Sequence, residues 1–139
     1  MTDAEICTQA EVTTLVHHFY RRVRQDDVLG PIFEAHVADW DEHLERMVRF
    51  WSSLLRRTGT YSGTPMPRHV ALPGLEGPMF LRWLDLFGQT LAEFDNPPFV
   101  EQAQEFARRV ARSLWYGYQI SHHPDQPALD LAYVPSAEH

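Results

Sequence analysis

The sequence predicts an all-α domain whose helices pack around a pocket. Four long stretches repeat apolar residues at steps of three and four, and each is bounded by capping or breaking residues. A Pro/Gly-rich detour of about twenty residues separates the second stretch from the third, and no alternating strand pattern competes with the helical one. A plain four-helix bundle needs only a few residues at that connection. The detour therefore favours helices that cross at steep angles around a site.

Thr8-x-x-Glu11 has the form of a capping box, and Val12, Leu15, Val16, Phe19, Tyr20 and Val23 follow at helical spacing. The first helix is predicted over about residues 9 to 25. Asp26-Asp27 and Gly30-Pro31 close it, and Ile32 and Phe33 are expected in a tight corner with Phe33 turned inward. Asp39 and Glu42 can cap a second helix, to which Trp40, Leu44, Met47, Val48, Trp51, Leu54 and Leu55 give a broad apolar face. It should end near Arg57. Residues 58 to 67 read as irregular, and Pro67 can open a single helical turn holding His69, which Pro73-Gly74 ends.

Pro78 suits the first turn of a third helix, whose apolar repeat is Met79, Phe80, Trp83, Leu84, Phe87, Leu91 and Phe94. Asp95-Asn96-Pro97-Pro98 separates it from a fourth. That helix carries Phe99, Ala103, Phe106, Ala107, Val110, Ala111, Leu114 and Tyr118 on one side, with Arg108, Arg109 and Arg112 largely on the other. Its alanines permit close helix approach. From His122 onward the chain is polar and proline-containing, so one domain over residues 1–121 and a loosely ordered tail over 122–139 are expected.

The 139 residues suffice for one hydrophobic core. A net charge of -7 argues against nucleic acid, whose binders concentrate positive charge. All twelve basic residues are Arg, which excludes lysine Schiff-base chemistry. Aromatics make up 12%, with four Trp and eight Phe, more flat and rigid surface than a small polar-binding module needs. Cys7 is the single cysteine, so there is no internal disulfide and no zinc-type Cys/His spacing. No basic leader followed by an apolar run and no membrane-length apolar stretch is seen, and a soluble cytoplasmic protein without a membrane partner is expected.

His69 sits in Tyr61-Ser-Gly-Thr-Pro-Met-Pro-Arg-His69-Val-Ala-Leu-Pro73, a stretch too broken to be ordinary helix. An imidazole on a short stiff segment between two amphipathic helices is one way to present a single ligand to a large flat cofactor, which makes haem the leading idea. A loop histidine is also commonly a plain surface residue, and the loop alone leaves both readings open. On the second helix His43 opens a stripe continued by Met47, Phe50, Trp51 and Leu54, and Tyr20 interrupts the stripe of the first. Taken singly, His43 fits a half-exposed boundary residue, Tyr20 a core tyrosine and Trp83 a packing residue equally well.

Taken together these residues carry a resemblance. Phe19-Tyr20, Leu29-Gly-Pro-Ile-Phe33, Trp40-Asp-Glu-His43, Phe50-Trp51, Tyr61-Ser-Gly63 through His69 to Leu72-Pro73, and Phe80-x-x-Trp83-Leu-x-Leu-Phe87 span roughly residues 8 to 120. In these elements the chain resembles the truncated haemoglobins, the two-over-two helical globins, and most closely their third group. Gly59, Gly63, Gly74 and Gly77 are isolated, so the Gly-Gly pairs of the first two groups are missing. The resemblance implies a globin-like two-over-two sandwich around haem b (iron protoporphyrin IX), with His69 as the proximal iron ligand and Phe33 packed on the porphyrin. It implies further that Tyr20, His43 and Trp83 are distal polar groups, that Met47, Trp51 and Leu54 line the distal wall, and that Tyr61 and Arg68 meet the propionates. Phe50, Leu72 and Phe80 complete the expected cofactor surroundings.

Such a site leaves one axial position on iron for O2, NO, CO or, in the ferric state, an anion. Donors aimed at bound O2 form charge-assisted hydrogen bonds, each contributing roughly 1.5 to 3 kcal/mol, so Tyr20 with Trp83 or His43 would slow its release greatly. That leans away from plain oxygen transport. The expected function is accordingly a ligand-binding haem globin. The alternative is a peroxide-reducing or NO-dioxygenating haem enzyme in which His43 or Tyr20 assists proton movement; lacking a flavin or nicotinamide domain, it would depend on an external reductase. A third reading, without haem, is a helical interaction module whose loop docks a partner peptide.

Overall fold

Five helices and no strand make up the residues that the computed structural model describes, which are 6–56, 77–122, 124, 125 and 127. They are α1 (Gln9–Gln25), α2 (Leu29–His36), α3 (Trp40–Leu55), α4 (Gly77–Leu91) and α5 (Pro97–His122). The pairs α1/α3 and α4/α5 form two layers joined by contacts of α1 with α4 and of α3 with α5, and α2 bridges α1 and α4 at one end. The architecture is an all-α two-layer sandwich. Among the described residues, no helix is long and apolar enough to cross a membrane.

Local signals account for the starts of α1 and α3. At α1 the Thr8 hydroxyl accepts from the Glu11 N–H at 3.1 Å and the Glu11 carboxylate accepts from the Thr8 N–H at 2.9 Å, satisfying two donors that the first turn would otherwise leave without partners. At α3 Asp39 accepts from the Glu42 N–H at 3.2 Å. The core joins the buried face of α1 (Val12, Leu15, Val16, Phe19, Tyr20, Val23) to Phe87 and Leu91 of α4 and Phe99 of α5. Ala103, Ala107 and Ala111 recur every fourth residue on the buried side of α5, where small side chains let the helix come close to its neighbours.

The corner after α1 differs from the expectation. Ile32 and Phe33 belong to a two-turn helix rather than a tight corner. Gly30 and Pro31 fall in its first turn, where the missing N–H of proline has no intrahelical partner to lose. The first turn is capped from outside: the Asp26 carboxylate accepts from the Val28 N–H at 3.0 Å and the Leu29 N–H at 2.9 Å. Gly30 has a steric reason as well, since a Cβ there would lie 2.8 Å from the Arg24 carbonyl oxygen. Smaller differences lie at two C-termini. α3 ends at Leu55 rather than Arg57, and α4 stops at Leu91, leaving Phe94 outside to pack edge-on against Phe99 at 5.2 Å.

Asp26 also ties this corner to α4. Arg82 donates to its Oδ1 through Nε at 2.7 Å and through a terminal nitrogen, while the aspartate side chain is only 2% exposed. The Arg82 bonds, aided by the Leu29 and Val28 amides, hold the Asp26 carboxyl below its ordinary range against the opposing effect of burial. Asp26→Ala is expected to destabilise the fold by roughly 2 kcal/mol at neutral pH, with the ion-pair share reduced because Arg82 is half exposed. A carboxyl depressed by folding stabilises fully above its unfolded value and loses that contribution as pH falls through the folded one. The gap between native and variant denaturant midpoints should therefore close below about pH 4. A gap unchanged between pH 7 and pH 3 would contradict this role.

Candidate functional site

The first half of α3 is only half buried, and its inner face lies against Tyr20 of α1. Tyr20 is 5% exposed. Its ring stands edge-on to His43 at 5.0 Å and 87°, to Phe19 at 4.8 Å and to Phe33 at 5.9 Å. Burial pushes the phenol well above its ordinary value, with the Arg46 guanidinium opposing the shift, so the hydroxyl keeps its proton at any ordinary pH. It is a permanent donor. The neighbouring His43 Nε2 is sealed from solvent.

Beside this pair opens a shallow cleft that encloses about 40 Å³ and is open to solvent, lined among the described residues by Leu29, Phe33, Met79, Phe80, Trp83, Ala111 and Leu114. Each of these side chains is apolar or aromatic. Phe33 belongs both to the cleft and to the Tyr20 contacts. Phe19 bridges in a second way, edge-on to Tyr20 and, at 5.2 Å, to Trp83. Trp83 in turn stacks on Phe87 at 5.5 Å and 12°, and Trp51 stacks on the same Phe87 at 5.0 Å. A continuous series of rings thus fixes both the tyrosine and the indole, at aromatic separations that contribute beyond simple burial.

The structure therefore brings Tyr20, His43 and Phe33 together and sets Trp83 and Phe80 in the adjoining cleft. Met47, Phe50 and Leu54 are partly buried against the core, whereas Trp51 lies wholly inside it at 2% exposure. Tyr61, Arg68, His69 and Leu72 lie outside the described residues. Among the described residues, no group of three His, Cys, Asp or Glu side chains is placed to hold a metal ion. Of the two histidines of α1, His17 is exposed and His18 pairs with Glu93 at 2.8 Å, and neither lines the cleft.

The sequence reading gave two residues no role at the site. Arg46, one turn beyond His43, has a side chain only 14% exposed; a terminal nitrogen donates to Glu42 at 3.1 Å, but its Nε is sealed and has no hydrogen-bond partner among the described residues. Trp40, expected in the apolar face of its helix and in the element shared with the truncated haemoglobins but given no role at the site, has its ring 6.1 Å from that of Tyr20 and 5.5 Å from that of His43. The buried guanidinium was detectable as a charge one turn after His43, but its inward course depends on packing.

Known proteins share this fold. A family profile of bacterial-like globins matches residues 4–113. The chain is 35% identical over 91 residues to the group 3 truncated haemoglobin of Campylobacter jejuni, an alignment covering 63% of this chain and 72% of that protein. The crystal structure of the group III truncated haemoglobin from Campylobacter jejuni superposes with a TM-score of 0.74 at 28% identity, covering 88% of this chain and 98% of that one. With the helix order, the two-layer packing and these relatives in agreement, the chain belongs to the bacterial-like globins, among the truncated haemoglobins of group III.

Proposed function

We propose that this globin binds haem b through His69 and holds O2, and related small ligands such as NO and CO, with Tyr20 as the principal hydrogen-bond donor. The observation that carries the reading is a buried, permanently protonated phenol set edge-on to His43 beside an apolar, ring-lined cleft. The residues present fit a flat apolar group that bears carboxylates. The cleft offers Phe33, Phe80 and Trp83 as walls, and the sealed Arg46 Nε is a donor lacking an acceptor, a condition that costs about 1 to 3 kcal/mol until a carboxylate or other acceptor answers it.

Haem, held by His69, would supply an iron able to bind an exchangeable small ligand. The protein residues then have distinct tasks. Phe33 and Phe80 would shield the cofactor from water, Trp83 would close the cleft beside them, and Arg68, Tyr61 and Arg46 would be available to its carboxylates. Leu72 would add to the apolar surroundings of the cofactor. Tyr20 donates its hydroxyl proton toward the ligand, and His43, with Nε2 withdrawn from solvent, stands as the second polar group. Met47, Phe50 and Leu54 keep the remainder of that side apolar. The lone Cys7 suits a reducing compartment, and we place the protein in the cytoplasm.

An optical spectrum of the purified protein, reduced and then exposed to CO, tests the cofactor. The expected outcome is an intense haem band that shifts on CO addition, with about one haem per chain. A colourless protein after expression with ample haem would overturn it.

A further inference from the structure

The ends of three helices meet outside the Tyr20–His43 pair. Arg24 comes from the last turn of α1, Glu34 from α2, and Trp40 is the first residue of α3. The Trp40 indole N–H donates to Glu34 Oε1 at 3.0 Å, and Arg24 Nε donates to Glu34 Oε2 at 3.0 Å. The Arg24 guanidinium also lies over the Trp40 ring, 4.4 Å from its centroid. The indole is thus held along its edge by the carboxylate and across its face by the cation. Its other contacts run inward, to His43 at 5.5 Å and 85° and to Tyr20 at 6.1 Å.

Arg24 and Glu34 are each nearly half exposed, and an exposed ion pair adds little to global stability. What this network fixes is the orientation of one ring. Both of Glu34's oxygens are engaged, and the Trp40 and Arg24 bonds hold its carboxyl below the ordinary range, so the acceptor stays charged at neutral pH. Trp40 in turn forms the outer wall against which His43 rests. An indole released from Glu34 gains rotamers, and His43 loses the surface that keeps it beside Tyr20.

We infer that Glu34 and Arg24 latch Trp40, and that Trp40 is a positioning residue that holds His43 against Tyr20 and so sets how readily a small neutral ligand such as CO or O2 enters and leaves. This rests on the haem reading above. The latch is electrostatic and lies at the surface, so ligand access is governed by side chains that never touch the ligand.

The test uses the full-length haem-loaded protein as its CO complex, with Glu34→Ala, Glu34→Gln and Trp40→Phe. Three quantities are read: the CO association rate after photolysis, the infrared C–O stretch, which senses the polar groups around the ligand, and proton exchange at the Trp40 indole N–H followed by NMR. Glu34→Ala and Trp40→Phe are expected to raise the association rate at least about threefold and to shift or split the C–O band. Indole exchange should accelerate in Glu34→Ala. Glu34→Gln retains an oxygen for the indole and should recover most of the native band, which a merely structural contribution would not require. Native rates and a single native band in both Glu34→Ala and Trp40→Phe, on protein that carries haem and responds to CO, would overturn the latch alone. Native protein that takes up no haem overturns the cofactor reading, and the latch with it.

Discussion

Tyr20→Phe is expected to speed O2 dissociation by about tenfold to a hundredfold. The substitution removes a hydroxyl and leaves the ring, so the edge-on contacts with Phe19, Phe33 and His43 are kept and the fold should survive. What is lost is a donor whose proton is secured by burial. A hydrogen bond to a ligand that carries partial negative charge contributes roughly 1.5 to 3 kcal/mol, and each 1.4 kcal/mol corresponds to a factor of about ten in the off-rate when association is little changed. Stopped-flow displacement of O2 by CO gives the rate directly. CO itself draws far less on a donor, so its release should change much less than that of O2. An O2 off-rate equal to that of the native protein would remove Tyr20 from this role.

How far the sequence foretold the structure depends on how local the determining contacts are. The capping box of Thr8 and Glu11 and the Asp39 cap of α3 lie within a single turn, and both were legible as spacing alone. The same holds for the buried stripe from Val12 to Val23, because one helix face is written directly in the order of residues. α2 was missed for the opposite reason. Its first turn is capped by Asp26, whose position is fixed by Arg82, 56 residues away. Gly30 and Pro31 therefore looked like a break when they are the start of a helix.

The candidate site divides in the same way. Tyr20 and His43 stood out because each puts a polar group into an apolar stripe, and the fold does bring them side by side. Phe19, which joins Tyr20 to Trp83, looked like any other core residue, since nothing along the chain tells which buried ring will touch which. Arg46 is a charge beside Met47 in the sequence, and only the packing of α3 against α1 makes it an inward-lying cation with a spare donor. The Arg24–Glu34–Trp40 cluster draws on three helices and was invisible as spacing. Secondary structure and one face of the site are thus encoded locally, whereas the surrounding contacts that orient it arise from tertiary packing.

The functional reading depends most on the bond between His69 and the haem iron. His69→Gly removes the imidazole and leaves a gap that free imidazole can enter, so the variant separates loss of the ligand from loss of the fold. The decisive measurement is the optical spectrum of the ferrous protein, alone and with CO, for His69→Gly before and after addition of imidazole. Loss of haem or of the histidine-ligated ferrous band in the variant, with native bands returning when imidazole is supplied, is the expected result. Haem content and bands indistinguishable from the native protein in the absence of imidazole would show that His69 is not the iron ligand.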